Sequence, residues 1–514
     1  MTDEQMLQNS KIYSRIFWSF MAVHALFWTF APPFFLPNYR PDTLEMIFVG
    51  KHWLLSSFKH PGFQGWVVQI LEMLTGGAEF APYLAAQIAV VLTIWCIWKM
   101  AQEFLSPQAA LVAALAMLTY YYFNFDSTLY NNRTYFRFFS SLAQLLTLYA
   151  LKTNRFRFWL GTGIVLAAGI YCKLTTLLTI LTIVSFMLVD RQSRSFWRTY
   201  GPWLSTGVCF VLTIPYLVWL VRYNFPPVTY AMSELSSTQP AFVEHFSRPI
   251  EFFLSQIPNI LPICLMLVPL LGFGWKWNYS HVWGSETKDR FLTFIILFPL
   301  LVTMGIACVK ACKIRAALGC EIWVFFSVFL VYTAARVKED WPAIRRSLTW
   351  IGFSVVFCAA GSWLFVYFSP AIQGSASRMH YPGRAIAAEV QKNWKEHFGD
   401  VPLVYVRGDD WPGMAAVIYG EKGMDVYSPL WTNEEDFHKK GGVLLWKSSS
   451  DKKQKSLNFF ANQDFKLKDG EVDPEWFQQF PNRIELPPMK IKPATPFDVP
   501  EISVGIALVP PADD

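Results

Sequence analysis

The order of apolar and polar positions divides the chain into a long membrane-like part and a shorter mixed part. Most of the eleven apolar runs in the first part approach the ~20 residues that a spanning helix needs. They fall at 16–36, 81–99, 106–123, 137–151, 158–171, 174–190, 201–221, 256–274, 291–309, 318–335 and 348–369. The fifth and sixth runs are short and could also form a hairpin that does not fully cross. The pattern predicts a polytopic α-helical membrane protein with about 11 transmembrane helices.

Beyond residue 370 the pattern becomes that of a soluble α/β domain. Strand-like segments occur at 402–408, 442–447 and 501–509, and helical spacing occurs near 383–396 and 432–440. Such a mixture of short elements favours a small α/β domain. We therefore expect a transmembrane domain over 1–369, with long loops at 37–80 and 124–136, and a soluble domain over 370–514.

Positive charge between the apolar runs predicts the orientation. The loops at 152–157, 190–198, 275–290 and 335–346 are basic, and basic loops remain on the cytoplasmic side. The first run is long and aromatic-rich and lacks a small-residue cleavage pattern, so we interpret it as a retained helix. With the N-terminus in the cytoplasm, an odd number of spans puts loops 37–80 and 124–136 and the domain 370–514 on the outer side.

Composition excludes several classes of protein. The chain is 53% hydrophobic and only 16% charged, with a mean hydropathy of +0.27, whereas soluble proteins carry about 25% charged residues. The net charge of +6 follows membrane topology and does not indicate nucleic-acid binding. All eight cysteines lie in the apolar part without metal-ligand spacing, which argues against disulfides and structural zinc. The absence of a nucleotide fingerprint argues against a nucleotide-driven pump.

The first outer loop carries many ionisable groups for a membrane protein. Asp42 and Glu45 stand at i and i+3 after Pro41, so a helix starting there would bring both carboxylates together. Lys59 and His60 follow. Two interpretations are open for this loop and for the cations of the outer loops, which are Lys51, Lys59, Arg133, Lys173, Arg222, Arg248, Lys310, Lys313 and Arg315. They are ordinary solvated loop residues, or they bind a shared anionic ligand such as a phosphate.

The second outer loop adds Asp126, Asn131 and Asn132. A solvated loop again explains these residues. Alternatively, the two acidic loops and the outer cations converge on one cavity above the helical bundle.

Four stretches together resemble the GT-C glycosyltransferases of the protein-O-mannosyltransferase and lipid A aminoarabinose transferase type. They are PDTLEM…KHPGFQGW, FDSTLYNNRTYF, RFWLGTGIVLAAGIYCKLTTLL and the tail beginning YPGRAIAAEV. The acidic motif here is D-x-x-E rather than adjacent D-E, and KHPG replaces the usual KHPP or KPP. These departures affect the subfamily and not the superfamily.

The resemblance implies a GT-C fold and sugar transfer from an undecaprenyl-phosphate-linked donor to a lipid A, glycan or protein acceptor. It implies a bacterial inner membrane, with the soluble domain in the periplasm, and no cofactor. No metal ligands are expected, and metal dependence stays open. Asp42 matches the family's catalytic aspartate, with Glu45 assisting or orienting. Lys59 matches the lysine that binds the donor phosphate, with Arg222, Lys313 and Arg315 as weaker candidates. For the acceptor or sugar we expect Asp126, Asn131, Asn132 and His60.

A second class remains open, namely a transporter or flippase of a lipid-linked sugar, which would also use outer cations and a groove. The chain has no inverted repeats with broken helices, which that class would favour. No motif in the sequence identifies the sugar or the acceptor.

Overall fold

The structure, a computed structural model, describes residues 3–234, 241–272, 276–408, 410–428, 430–447 and 479–512. Helices dominate it, and one small sheet lies near the C-terminus. Five of the described helices are long and apolar enough to cross a membrane, by length and composition. Each of the eleven apolar runs contains helix, as predicted.

Residues 3–101 form two long helices with three shorter ones between them. In chain order the helices are α1 (Asp3–Phe30), α2 (Pro32–Phe35), α3 (Pro41–Lys51), α4 (Phe63–Thr75) and α5 (Ala81–Ala101). Helices α3 and α4 fold from the loop 37–80 and pack unusually close together. A Cβ atom added to Gly50 of α3 would lie 2.1 Å from the Gly65 carbonyl oxygen of α4. Only glycine permits this backbone contact.

The remaining helices of the bundle follow along the chain. They are α6 (Pro107–Ala116), α7 (Arg133–Thr153), α8 (Phe156–Cys172), α9 (Thr176–Val189), α10 (Tyr200–Arg222), α11 (Pro226–Glu234), α12 (Glu244–Leu271), α13 (Tyr279–Val282), α14 (Thr287–Lys310), α15 (Phe326–Tyr332) and α16 (Trp341–Gln373).

The structure corrects one predicted span. The run 318–335 is not a single helix, because only α15, with seven residues, is α-helical within it. Irregular backbone precedes it, and there Trp323 Nε1 donates a hydrogen bond to Gln256 Oε1 over 3.2 Å. Irregular backbone within a membrane-spanning bundle is tolerated where protein encloses it.

Contacts between loops divide the bundle into two ends. The loops with the basic sequences meet at one end, where Lys152 pairs with Glu103. There Arg290 Nε also donates to Asp190 Oδ1 over 2.7 Å. Loops 37–80 and 124–136 meet at the opposite end, which we call the domain end because the C-terminal domain packs against it.

The described residues of the C-terminal domain form a five-stranded sheet with three α-helices. The helices are α17 (Gly383–Phe398), α18 (Asp410–Ile418) and α19 (Glu434–Lys440), and the strands are β1 (Tyr405–Gly408), β2 (Asp425–Val426), β3 (Gly442–Lys447), β4 (Ile484–Ile491) and β5 (Ile502–Val509). The strand order is β2-β1-β3-β5-β4. Strands β2, β1 and β3 are parallel, whereas β5 runs antiparallel to β3 and β4.

The structure confirms the α/β pattern of this domain and adds elements that the pattern did not indicate. Strand β4 escaped prediction because Pro487 and Pro488 interrupt it, and proline is confined to edges and bulges of sheets. In the structure β4 is an edge strand whose register shifts between Leu486 and Met489.

Candidate active site

Helix α3 presents two carboxylates at the domain end of the bundle. It begins at Pro41, and Asp42 lies half-buried in its first turn, where a carboxylate interacts favourably with the helix dipole. Glu45 lies one turn further along and is completely buried. The two acids therefore share one region, as their spacing predicts.

The turn after α3 holds Glu45 in place. Ser57 Oγ donates a hydrogen bond to Glu45 Oε1 over 3.0 Å, while Glu45 Oε2 is buried without a hydrogen-bond partner among the described residues. Burial raises the pKa of Glu45 to about 7, and the negative charge of Asp42 contributes in the same direction. The positive charge of Lys59 opposes that rise. Glu45 thus changes protonation state near neutral pH.

The same turn orients Lys59 and His60. Ser57 Oγ accepts hydrogen bonds from both backbone N–H groups, over 3.2 and 2.9 Å. Lys59 Nζ lies 5.3 Å from the centre of the Tyr230 ring, and the His60 ring meets that ring edge-on.

Burial lowers the pKa of His60 well below its ordinary value, and nearby positive charges lower it further. Those charges are Lys59, Lys173 and Arg133. His60 is therefore a neutral imidazole beside a group of cations.

Asp126, from the second loop, faces the start of α3. Its side chain is buried, and Arg40 Nη1 lies 3.8 Å from Asp126 Oδ1. Burial raises the pKa of Asp126, while the charges of Arg133 and Arg40 oppose the rise. The negative charge of Asp42 also acts on Asp126, so the two acidic loops meet.

Asn131 and Asn132 are both buried at the start of α7. Asn131 Oδ1 accepts a hydrogen bond from the Arg133 backbone N–H over 2.9 Å, which orders the first turn of the helix. The Asn132 carbonyl accepts one from Gln64 Nε2 over 2.6 Å and so ties the two loops together. Their predicted contact with acceptor or sugar stays a prediction.

Three further cations line the site. Arg133 and Lys173 belong to the outer cations for which the sequence left a shared anionic ligand open, whereas Arg137 was not among them. Arg133 Nε, Arg137 Nη1 and Lys173 Nζ are each buried with no hydrogen-bond partner among the described residues. Arg137 lies over the rings of Tyr122 and Phe123, with ring centres 5.7 and 5.6 Å away.

Lys173 lies between α8 and α9, with its Nζ 5.4 Å from the centre of the Phe136 ring. Burial lowers its pKa, and the positive charges of Arg133 and Arg137 add to that effect. The Glu321 carboxylate acts in the opposite direction. Like charges gathered in this way need an anion close by.

One pattern could have identified two of these cations. Arg133 and Arg137 are four residues apart, and such residues share a face of a helix. Arg137 also stands inside a predicted span, where an ionisable residue indicates function.

The three weaker phosphate candidates are exposed. Arg222 ends α10, with its guanidinium over the Tyr223 ring, and Lys313 and Arg315 lie between α14 and α15. The buried acids and His60 instead experience the charges of Lys59 and the three buried cations.

Among the residues that the structure describes, no group of three or more His, Cys, Asp or Glu side chains is arranged to hold a metal ion.

Comparisons with known proteins agree with this architecture. Residues 59–219 match the family model described as dolichyl-phosphate-mannose-protein mannosyltransferase. No curated protein matches the chain.

Two solved structures of ArnT from Cupriavidus metallidurans are similar to this chain, each with a TM-score of 0.54. In the one bound to undecaprenyl phosphate, identity is 13%, and the match covers 95% of this chain and 97% of that one. In the apo state, identity is 12%, and the match covers 96% of this chain and 98% of that one.

The fold is that of the GT-C glycosyltransferases, a class of polytopic membrane proteins, with a small C-terminal α/β domain. The family match over 59–219 includes the KHPG motif and the second outer loop. The expected resemblance is confirmed.

Proposed function

We propose that this protein is an inverting glycosyltransferase. It moves a sugar from a polyprenyl-phosphate-linked donor to an acceptor hydroxyl at the outer face of the membrane. The observation that carries the proposal is the set of three buried cationic nitrogens, on Arg133, Arg137 and Lys173, without partners among the described residues. They lie at the same end of the bundle as two buried carboxylates.

A lipid phosphate is the anion that suits this set of cations. Leaving a charged nitrogen buried and unpaired costs several kcal/mol, and an incoming phosphate would remove that cost. A membrane-embedded site selects a phosphate on a lipid. The ArnT structure with bound undecaprenyl phosphate has the same fold, which supports this class of donor.

The chemistry requires one base and one stabilised leaving group. The acceptor oxygen attacks the anomeric carbon, the bond from that carbon to the phosphate oxygen breaks, and the polyprenyl phosphate leaves with the electron pair. Asp42 takes the acceptor proton, and Glu45 orients it. A single displacement inverts the anomeric configuration.

The leaving phosphate gains negative charge as the bond breaks. Lys59, Lys173 and Arg133 are near enough to one another to act on His60 together, so they stabilise that charge more in the transition state than in the ground state. Asp126, held by Arg40, contacts the acceptor or the sugar. His60, Asn131 and Asn132 complete that part of the site.

The site faces the periplasm of a bacterial inner membrane in this proposal, with the N-terminus in the cytoplasm. One observation supports it. The basic loops meet at the end of the bundle opposite the site, and basic loops remain in the cytoplasm. The acceptor is a lipid, a glycan or a protein, and the donor sugar is a hexose or a pentose.

The test uses purified full-length protein in detergent with synthetic undecaprenyl-phosphate hexoses and pentoses. Asp42→Asn removes the base and should lower kcat by on the order of 10²-fold or more. Lys173→Met removes one phosphate contact and should lower kcat by about 10²- to 10³-fold. Lys288→Met, at the opposite end of the bundle and paired with Glu286, serves as the control.

Thermal unfolding gives a second result that does not depend on the choice of sugar. Undecaprenyl phosphate should raise the Tm of the wild type and of Lys288→Met, because it binds only the folded state. It should raise the Tm of Lys173→Met much less. Equal shifts in all three proteins, together with full activity of Asp42→Asn, would contradict the proposal.

A further inference from the structure

The C-terminal domain holds helix α3 at both of its ends. Just before the helix, the Tyr39 backbone N–H donates to the Tyr419 hydroxyl over 2.6 Å. At its last residue, Lys51 Nζ donates to the Met424 carbonyl over 3.1 Å. Tyr419 and Met424 lie close together in the chain, between α18 and β2. A single short segment of the domain therefore spans the helix.

Asp425 makes the most extensive of these contacts. Its Oδ1 lies 3.2 Å from Lys51 Nζ, and its Oδ2 lies 3.0 Å from His52 Nε2. The His52 ring also stacks on Trp431 of the domain, with ring centres 4.2 Å apart and planes at 14°. The side chains of Asp425 and His52 are each 18% exposed, whereas that of Lys51 is 41% exposed, so water screens the contact with His52 less than the contact with Lys51.

The electrostatics agree with the geometry. Burial alone would raise the pKa of Asp425, but the hydrogen bond and charge of His52, followed by the charge of Lys51, outweigh it. The pKa of Asp425 therefore lies below its ordinary value, and the carboxylate is ionised at neutral pH.

Apolar packing joins the two ends. Leu44 and Phe48 of α3 belong to the same buried hydrophobic cluster as Met414 and Ala415 of α18. The 11 residues of α3 form a rod of about 16 Å at 1.5 Å per residue. Because a rod of this length is stiff, a shift at Lys51 is transmitted to its first turn.

We propose that Asp425 is a positioning residue for sugar transfer. Through Lys51 and His52 it fixes the position of α3, and so the position of Asp42 and Glu45 relative to Arg133, Arg137 and Lys173, which we call the cation cluster. The inference rests on the proposed function, in which Asp42 is the base. It gives the C-terminal domain a role in the reaction that acts through α3.

The size of the effect follows from the geometry that catalysis needs. Displacing a reacting group by about 1 Å costs on the order of 10²-fold in rate. Loss of the Asp425 contact should therefore lower kcat. The donor KM should change little, because Arg133, Arg137 and Lys173 lie on α7 and on the turn between α8 and α9, outside α3 and the turn that follows it.

The experiment compares two Asp→Asn variants of the full-length protein in detergent. Asp425→Asn breaks the contact with α3. Asp436→Asn is the matched control, since the partners of Asp436 are Tyr405 and Lys440 of the same domain. Asp425→Glu restores the charge. Hydrogen exchange of the α3 amides is measured for each, together with kcat and KM for the undecaprenyl-phosphate sugar that the wild type transfers.

We expect Asp425→Asn to speed exchange of the α3 amides and to lower kcat by about 10- to 100-fold, at nearly unchanged KM. Asp436→Asn should change neither the α3 exchange nor kcat. Asp425→Glu should restore most of the wild-type exchange protection and most of kcat. Wild-type exchange of α3 in a folded Asp425→Asn protein would overturn the inference. If this variant does not fold, Lys51→Gln, which removes one partner of Asp425, replaces it.

The two proposals fail separately. Hydrogen exchange needs no substrate, so it reports on the hold over α3 even when no sugar is transferred. Faster α3 exchange in a protein without transferase activity would support the hold and contradict the proposed function. If the wild type transfers sugar and Asp425→Asn shows the α3 exchange of the wild type, the proposed function is supported and the hold of Asp425 on α3 is contradicted.

Discussion

At the scale of single residues, the site combines buried charges that lack complete pairing. Glu45 has one carboxylate oxygen without a partner, and Lys173 has a buried ammonium group in the same situation, among the described residues. Each costs stability, because a buried charge loses its hydration. Such costs are typical of functional sites, where a ligand supplies the missing partner.

Glu45 gives a prediction about pH. Its pKa is raised in the folded state to about 7, so folding favours the protonated acid. The stability that this provides is complete below the ordinary pKa of glutamate and is lost as the pH rises through 7. Glu45→Gln does not ionise. Its advantage in unfolding free energy over the wild type should therefore grow between pH 5 and pH 8, towards about 3 kcal/mol.

Thermal unfolding in detergent across that pH range measures the difference. Glu435→Gln is a control at an exposed helix position of the C-terminal domain. If the stability curves of wild type and Glu45→Gln run parallel from pH 5 to pH 8, the carboxyl does not titrate as its burial requires.

At the scale of elements, the contact between α3 and α4 determines where the site acids lie. A side chain at Gly50 would collide with the backbone of Gly65. Helix α3 can therefore approach α4 only with glycine at both positions. The turn between the helices is closed by Ser57, so the two helices and the turn act as one unit.

Gly50→Ala should disrupt that unit. The added Cβ would lie 2.1 Å from a backbone oxygen, so α3 must move away from α4, at a cost of about 1–3 kcal/mol. Tm should fall. The transfer activity of the protein that remains folded should fall as well, because Asp42 moves with the helix.

Gly207→Ala is the control for that substitution. Gly207 lies within α10, and an added Cβ would meet nothing within 4 Å. The change should leave Tm unaltered or raise it, since alanine is favoured in helices by about 0.5–1 kcal/mol. Equal Tm values for the two variants would mean that α3 and α4 are not in tight contact.

At the scale of the whole molecule, the two ends of the bundle have different contents. One end carries the basic loops, and the other carries the acidic loops, the cation cluster and the C-terminal domain. In the proposed function, this asymmetry keeps donor and acceptor on one side of the membrane.

The asymmetry predicts a labelling pattern. A cysteine at Lys392, exposed on α17, should react with a membrane-impermeant maleimide added to intact spheroplasts. A cysteine at Arg345, exposed near the start of α16, should react only after the membrane is opened. The protein without added cysteines corrects for native thiols. The opposite pattern would reverse the proposed orientation.

Periodicity and charge in the sequence were sufficient to predict the broad architecture. Apolar runs must be helical in a bilayer because each backbone polar group needs an internal partner, so the eleven runs predicted helix. The proline at 41 and the acid after it predicted the start of α3. Short-range rules failed at β4, which carries two prolines, and at 318–335, where the backbone is irregular despite its apolar composition.

Some features of the site could also be predicted from the sequence, and others could not. Asp42, Glu45, Lys59 and Asp126 could be selected from the sequence because two loops and a family resemblance contain them. The hold of Asp425 on α3 could not, because its partners are distant in the chain. His52 and Asp425, for example, are 373 residues apart.

By itself the sequence determined which segments are helical, which loops are basic and which residues could do chemistry, since these depend on neighbours along the chain. Tertiary structure alone decided which charges are buried together. It brings Lys173 from the α8–α9 turn beside Arg133 and Arg137 of α7, and it presses the C-terminal domain onto α3. Burial and pairing depend on distance in space, and that distance is set only when the whole chain has packed.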